Sequence, residues 1–141
     1  MKKTPGSRRI GVLTSGGDAP GMNAAIRAIF RAAHELEIEV VGIRRGYAGL
    51  IEGDIFLMDR SHVANIIHLG GTVLGTSRSE EFKTREGRRK SAENIKSAGI
   101  DALIVIGGEG SMRGADLFNT ETGVPTIGIP ASIDNDIFGT D

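Results

Sequence analysis

The sequence contains no cysteine and no tryptophan, and only one tyrosine and five phenylalanines among 141 residues. Without thiols, disulfides and thiolate metal sites are excluded, a composition that fits a cytoplasmic protein. Neither sign of charge is in excess. The net charge is −1, so there is no polybasic footprint and no compositional support for nucleic acid binding. No apolar run approaches the length of a membrane span. Met1 to Ser7 carries two lysines with no apolar stretch behind them. It is therefore not a secretory signal, and it reads as a flexible lead-in (residues 1–7) to a single domain over residues 8–141.

What the chain has in excess is glycine. There are 21, about twice average usage, and they gather at the ends of apolar runs, where a missing side chain permits unusual turns and close approach of a ligand to the backbone. The hydrophobic fraction of 39% and charged fraction of 25% are those of a globular protein with one core.

Apolar runs and helical periodicity alternate along the chain. Arg8 to Ser15 reads as a buried strand, Gly16 to Asn23 as a long turn, and Ala24 to Leu36 as a helix. Glu39 to Ile43 is a second strand, closing a βαβ unit of the kind that is nearly always right-handed and parallel. Arg44 to Gly53, with three glycines, reads as a loop. A short strand is expected within Asp54 to Met58, a short helix over Arg60 to His68, and a second glycine-rich loop over Gly70 to Arg78. Thr84 to Ala98 is a charged helix with Ala92, Ile95 and Lys96 towards its inner side and Gly99 as its C-cap. Asp101 to Ile106 is the central strand, Ser111 to Phe118 the helix after it, and Val124 to Pro130 another strand. The class predicted is α/β: a largely parallel sheet with helices on both faces, Rossmann-like. Ligands in such sheets bind beyond the carboxyl ends of the strands.

Three acidic turns fall at that edge. In Gly107-Gly108-Glu109-Gly110-Ser111, backbone N–H groups at a helix N-terminus suit phosphate oxygens, and the carboxylate suits Mg²⁺, which takes one or two carboxylates with phosphates and water. The alternative is a tight strand-to-helix turn with a solvated glutamate. Gly16-Gly17-Asp18 repeats the device, or else Asp18 caps the following helix. Asp134-Asn135-Asp136 places two carboxylates at a strand end, where one can act as a general base and the other hold metal or orient it; alone, it reads as a surface loop. Arg78 closes a glycine loop at the same edge and can compensate charge on a transferring phosphoryl group. Arg27 and Arg31 share a helix face. His34, His62 and His68 have no metal-ligand spacing and read as structural.

Taken together, Ile10–Arg27, Arg44–Leu50, Gly70–Arg78, Ile106–Ser111 and Ile133–Asp141 resemble the 6-phosphofructokinase family, in the family's order and over nearly the whole chain after residue 8. The family's chains are much longer, so the resemblance is to their amino-terminal part. It implies a phosphofructokinase-type N-terminal domain, incomplete here, that transfers the γ-phosphoryl of Mg·ATP to the 1-hydroxyl of fructose 6-phosphate in glycolysis. Gly17, Arg78, Ser79, Gly108, Glu109, Gly110 and Ser111 would bind ATP, with Glu109 the Mg²⁺ ligand. Asp134 would be the base, with Asp136 supporting the base or the metal and Arg78 stabilising the transferring group. Ser132, Ile133 and Asp134 would meet the sugar. Arg27, Arg31 and Arg60 would hold an ADP-like effector, and the assembly would be a homotetramer. The chain departs from the family's usual pattern at Glu109, where aspartate is common, and at Ala131-Ser132, where glycine and threonine are. The part that grips the sugar 6-phosphate is absent, so the 141-residue chain alone is expected to be poorly active. The alternatives are a pyrophosphate-dependent relative, in which an aspartate usually stands where this chain has Gly110, and a non-catalytic nucleotide-binding module. A dinucleotide oxidoreductase would need a ribose-binding acid that the spacing does not supply.

Overall fold

The computed structural model describes residues 1–134, 137 and 139. In chain order the elements are β1 (Arg8–Ser15), α1 (Met22–Glu35), β2 (Ile38–Ile43), α2 (Gly46–Glu52), β3 (Ile55–Leu57), α3 (Arg60–Val63), a 3-10 turn at Glu81–Lys83, α4 (Arg85–Ser97), β4 (Ala102–Gly107), α5 (Glu109–Thr122) and β5 (Thr126–Pro130). The strands form one sheet in the order β3-β2-β1-β4-β5. All pairings are parallel except β3 on β2.

Period-two alternation along each strand divides the apolar residues between two faces. On one face Val12, Val40 and Ile106 pack against Met22, Ile26 and Phe30 of α1 and Val63 of α3. On the other, Leu13, Val41, Leu103 and Val105 pack against Leu50 of α2, Ile95 of α4 and Phe118 of α5. The β1–β4 register runs from Ile10↔Ala102 to Ser15↔Gly107, so the two strands end level and their glycine turns leave the sheet side by side. From β1 the chain moves outward to β2, and from β4 it moves the other way to β5. The crevice between these diverging connections is where doubly wound sheets bind ligands.

Several elements differ from the sequence reading. Arg44 to Gly53 is not a loop: Gly46–Glu52 is helical, with Tyr47 and Leu50 buried. Burial of these side chains overrides glycine's poor helix propensity. Gly49 is required by packing, because a Cβ there would lie 1.6 Å from the Arg44 carbonyl oxygen. The helix expected to reach His68 ends at Val63; Ala64 is extended and Asn65 has φ 57. Lys96 is exposed, and the inner side of α4 is Gly87, Arg88, Ser91 and Ile95. Helix α5 already begins at Glu109, so the acidic residue of the turn is its first residue, and it continues to Thr122, ending on Gly123 in the left-handed region. Asp18 does not cap α1, whose N-cap is Gly21 with no side-chain bond.

At the opposite end of the sheet Arg9 is fully buried. Its guanidinium donates to Glu39, to the Ala98 carbonyl and to the Lys2 carbonyl. A buried cation is tolerated because each donor group finds an acceptor.

Candidate active site

The two glycine turns abut at the carboxyl ends of β1 and β4. A Cβ built on Gly16 would lie 3.4 Å from Ser111 Oγ and 3.8 Å from the Gly108 nitrogen. The first turn of α5 is anchored from below by Tyr47, whose buried Oη donates to the Ser111 carbonyl at 2.7 Å. Burial in this position pushes the Tyr47 phenol well above its ordinary value, so it stays neutral and a donor.

Gly17, Gly108 and Gly110 line this edge, and the fold itself requires glycine at none of them. None has a positive φ, and a Cβ on any of the three would meet nothing within 4 Å. The space beside them is open and faces the N-terminus of α5, where free N–H groups and the helix dipole favour an anion.

Beside the turns lies a cleft of about 500 Å³. One wall is apolar: Tyr47 stacks on Phe82 with centroids 3.8 Å apart and planes 11° from parallel. Gly114 faces both rings, since a Cβ there would touch each at 3.3–3.4 Å. The rim is polar and charged, with Arg78, Ser79, Arg113, Gly110, Ser111 and the Lys83–Glu80 ion pair at 2.9 Å. Arg88 also reaches the cleft but is already engaged. It pairs with Glu121 through Nε and Nη2 at 2.5 and 2.9 Å and donates from Nη1 to the Phe82 carbonyl at 2.9 Å. The bond to Glu121 raises the Arg88 pKa, and the same bond holds the Glu121 carboxyl below the usual range. Arg78, in contrast, is exposed and forms no ion pair among the described residues.

The structure thus brings Arg78, Ser79, Gly110 and Ser111 to one cleft, with Gly17, Gly108 and Glu109 on the adjoining turns. Glu109 is half exposed, and its Oε1 accepts from Arg113 Nη2 at 2.5 Å, one helical turn on. Among the described residues no cluster of three or more His, Asp or Glu side chains forms a ready metal cage. Ser132, Ile133 and Asp134 follow β5 and lie outside the lining of the cleft. Asp134 is exposed, and its N–H donates to Ser132 Oγ at 3.2 Å. Asp136 lies outside the described residues. The sequence reading missed the aromatic wall. Residues 47, 82 and 114 are far apart along the chain, and the only local signal was the isolated tyrosine.

Arg27, Arg31 and Arg60 form a separate cluster around a pocket of about 440 Å³ between α1 and α3, shared with His34 and Glu35. None of the three arginines forms an ion pair among the described residues. Arg60 Nη2 lies 3.0 Å from His34 Nε2, and the His62 ring accepts from the Asp59 N–H at the start of α3.

Comparison with known proteins identifies the family to which this fold belongs. Residues 9–141 match the family model described as Phosphofructokinase. The chain is 61% identical over 134 residues to an ATP-dependent 6-phosphofructokinase of Halothermothrix orenii, covering 95% of this chain and 40% of that one. It is 58% identical over the same length to one from Thermus thermophilus, covering 42% of it. Among solved structures, phosphofructokinase from Saccharomyces cerevisiae superposes with a TM-score of 0.92 at 42% identity, over 96% of this chain and 21% of that one. A pyrophosphate-dependent phosphofructokinase from Marinobacter aquaeolei shares the fold, with a TM-score of 0.81 at 22% identity over 94% of this chain and 36% of that one. The chain therefore spans about two fifths of the length of its bacterial relatives, and over that span it belongs to the phosphofructokinase family.

Proposed function

We propose that this chain is the nucleotide-binding part of an ATP-dependent 6-phosphofructokinase. The observation that carries the proposal is the set of three glycines, Gly17, Gly108 and Gly110, which neither backbone conformation nor packing demands. Close approach of a phosphate chain gives them a reason. The Tyr47–Phe82 wall and Gly114 offer a planar apolar surface to the nucleobase, and the polar, charged rim meets the phosphates. Gly110 leaves open the volume that an aspartate would fill with bulk and charge, which favours ATP over pyrophosphate as donor.

Mg²⁺ fits the donor set in one way. Glu109, released from Arg113, would supply one carboxylate, and phosphate oxygens and water would supply the rest, the usual division for this ion. When bound, the metal neutralises charge on the donor phosphates. Arg78 faces the transferring group and compensates the charge that spreads over its oxygens. Asp134 accepts the proton of the fructose 6-phosphate 1-hydroxyl as that oxygen forms its bond to the γ-phosphorus. The bond to the bridging oxygen breaks, and ADP leaves with the electron pair. Ser132 and Ile133 contact the sugar beside the base, and Asp136 supports it. The 6-phosphate is gripped by the part of the subunit beyond this chain. Arg27, Arg31 and Arg60 hold an ADP-like effector, in a cytoplasmic homotetramer.

The glycine argument is tested by calorimetric titration of Mg·ATP into the complete subunit and its Gly108→Val variant. Gly108 is extended, with φ −84 and ψ −166, so valine fits the backbone. The expected result is loss of ATP affinity by at least about tenfold, one tenfold step being 1.4 kcal/mol, with an unchanged melting temperature. Full affinity in the variant would contradict the proposal. Tight Mg·ATP binding by the wild type without any fructose 6-phosphate-dependent turnover would instead favour a non-catalytic module.

A further inference from the structure

Asn23 is 2% exposed, sits in the first turn of α1, and spends its whole amide on one distant segment. Its Nδ2 donates to the carbonyls of Leu69 and Gly70 at 3.2 and 3.4 Å, and its Oδ1 accepts from the Val73 N–H at 2.7 Å. Next to Val73 in the same loop, the Thr72 hydroxyl lies 2.8 Å from the hydroxyl of Thr14 on β1. Thr14 in turn bonds the Gly75 carbonyl at 2.9 Å, and Thr76 Oγ1 reaches Asp18 at 3.4 Å. The loop so held leads directly into Arg78. It contains Gly70, Gly71 and Gly75, with φ +73 at both Gly71 and Gly75. Such a loop carries a large conformational entropy of its own. A surface connection needs no buried side-chain amide to cross a chain separation of fifty residues, whereas a catalytic guanidinium needs its loop placed to within a fraction of an ångström.

We propose that Asn23 is a positioning residue for phosphoryl transfer: from the rigid start of α1 it fixes the glycine loop that aims Arg78 into the cleft. Thr14 and Thr72 serve the same end from β1. The inference rests on the reading of Arg78 given above.

The test is a double-mutant cycle in the complete enzyme with Asn23→Ala and Arg78→Ala, reading kcat, KM for ATP and melting temperature. Thr72→Val is the second entry to the same loop should Asn23→Ala fail to fold. Asn23→Ala is expected to lower kcat by about 10- to 100-fold, the scale of a misplacement of order 1 Å, with a much smaller change in KM. In the Arg78→Ala background the same substitution is expected to change kcat by no more than about twofold, the ordinary error of additivity. Equal losses in both backgrounds would show a merely structural role and overturn the inference. So would a collapse of turnover in Arg78→Ala beside undiminished kcat in both Asn23→Ala and Thr72→Val. If Arg78→Ala itself retains turnover, the reading of Arg78 falls first and the inference with it.

Discussion

At the scale of single residues, Glu109 and Arg113 form an ion pair at the start of α5. A glutamate four positions before an arginine is the favourable order for a helical ion pair, and the pair is formed here at 2.5 Å. The Glu109 carboxylate thus has a partner one turn along its own helix. Both side chains are solvent-exposed, so the pair is weak and the carboxylate can exchange the guanidinium for a metal. Arg113→Met is accordingly expected to leave folding intact and to tighten Mn²⁺ binding slightly, read by calorimetry in the absence of nucleotide. Weakened Mn²⁺ binding would mean that Arg113 orients Glu109 rather than competing for it. Asp134 carries a sharper expectation. Asp134→Ser is expected to lower turnover by about 10²- to 10⁴-fold, the range for a positioned general base, while Mg·ATP affinity stays within about twofold. A loss below about tenfold would remove Asp134 from the role of base.

At the scale of elements, the cleft depends on how α4 and α5 are joined. Arg88 of α4 reaches Glu121 of α5 and the Phe82 carbonyl, and Phe82 is half of the aromatic wall. Because Arg88 holds the Glu121 carboxyl below its usual value, the stability this pair contributes is present above the unfolded-state value of about 4.3. It is lost as pH falls through the lower folded-state value. Glu121→Gln is expected to lower the melting temperature at neutral pH and to flatten its decline between about pH 5 and pH 3; an unchanged acid limb would show that the pair is not coupled to folding. Phe118, fully buried behind Phe82 with ring centroids 5.8 Å apart, is expected to cost about 3–5 kcal/mol when replaced by alanine, measured by denaturant unfolding. These joints also mark where sequence reading stops. Strand β1 and the glycine turns after β1 and β4 were legible because each is a local pattern: an apolar run ended by glycines. Helix α2 was not, because its helicity comes from burying Tyr47 and Leu50 against residues elsewhere in the chain. The aromatic wall was not, because it exists only once α2, the Glu81–Lys83 turn and α5 have packed. The same holds for Asn23, which looks like any turn residue until its fifty-residue reach is seen.

At the scale of the whole molecule, the arginines that form no ion pair among the described residues and line the two pockets sit on different parts of one sheet. Arg78 stands at the crevice between β1 and β4, and Arg27, Arg31 and Arg60 surround the pocket between α1 and α3. Helix α1 is linked to both: Asn23 at its start bonds the loop that leads to Arg78, and Arg27 and Arg31 line the pocket. Arg60→Glu in the complete protein is expected to raise the ADP concentration giving half of its effect on turnover by at least about tenfold, since a like charge replaces an attraction; basal kcat is expected to hold. An unaltered ADP response would exclude the pocket as an effector site. The central claim, however, concerns the donor. It is tested most directly by steady-state turnover of fructose 6-phosphate in the complete enzyme with Mg·ATP and with Mg·pyrophosphate, each as sole donor. The expected result is a kcat/KM for ATP at least about 100-fold above that for pyrophosphate, a difference of some 2.7 kcal/mol in transition-state stabilisation. Faster turnover with pyrophosphate, or none with either donor, would contradict it.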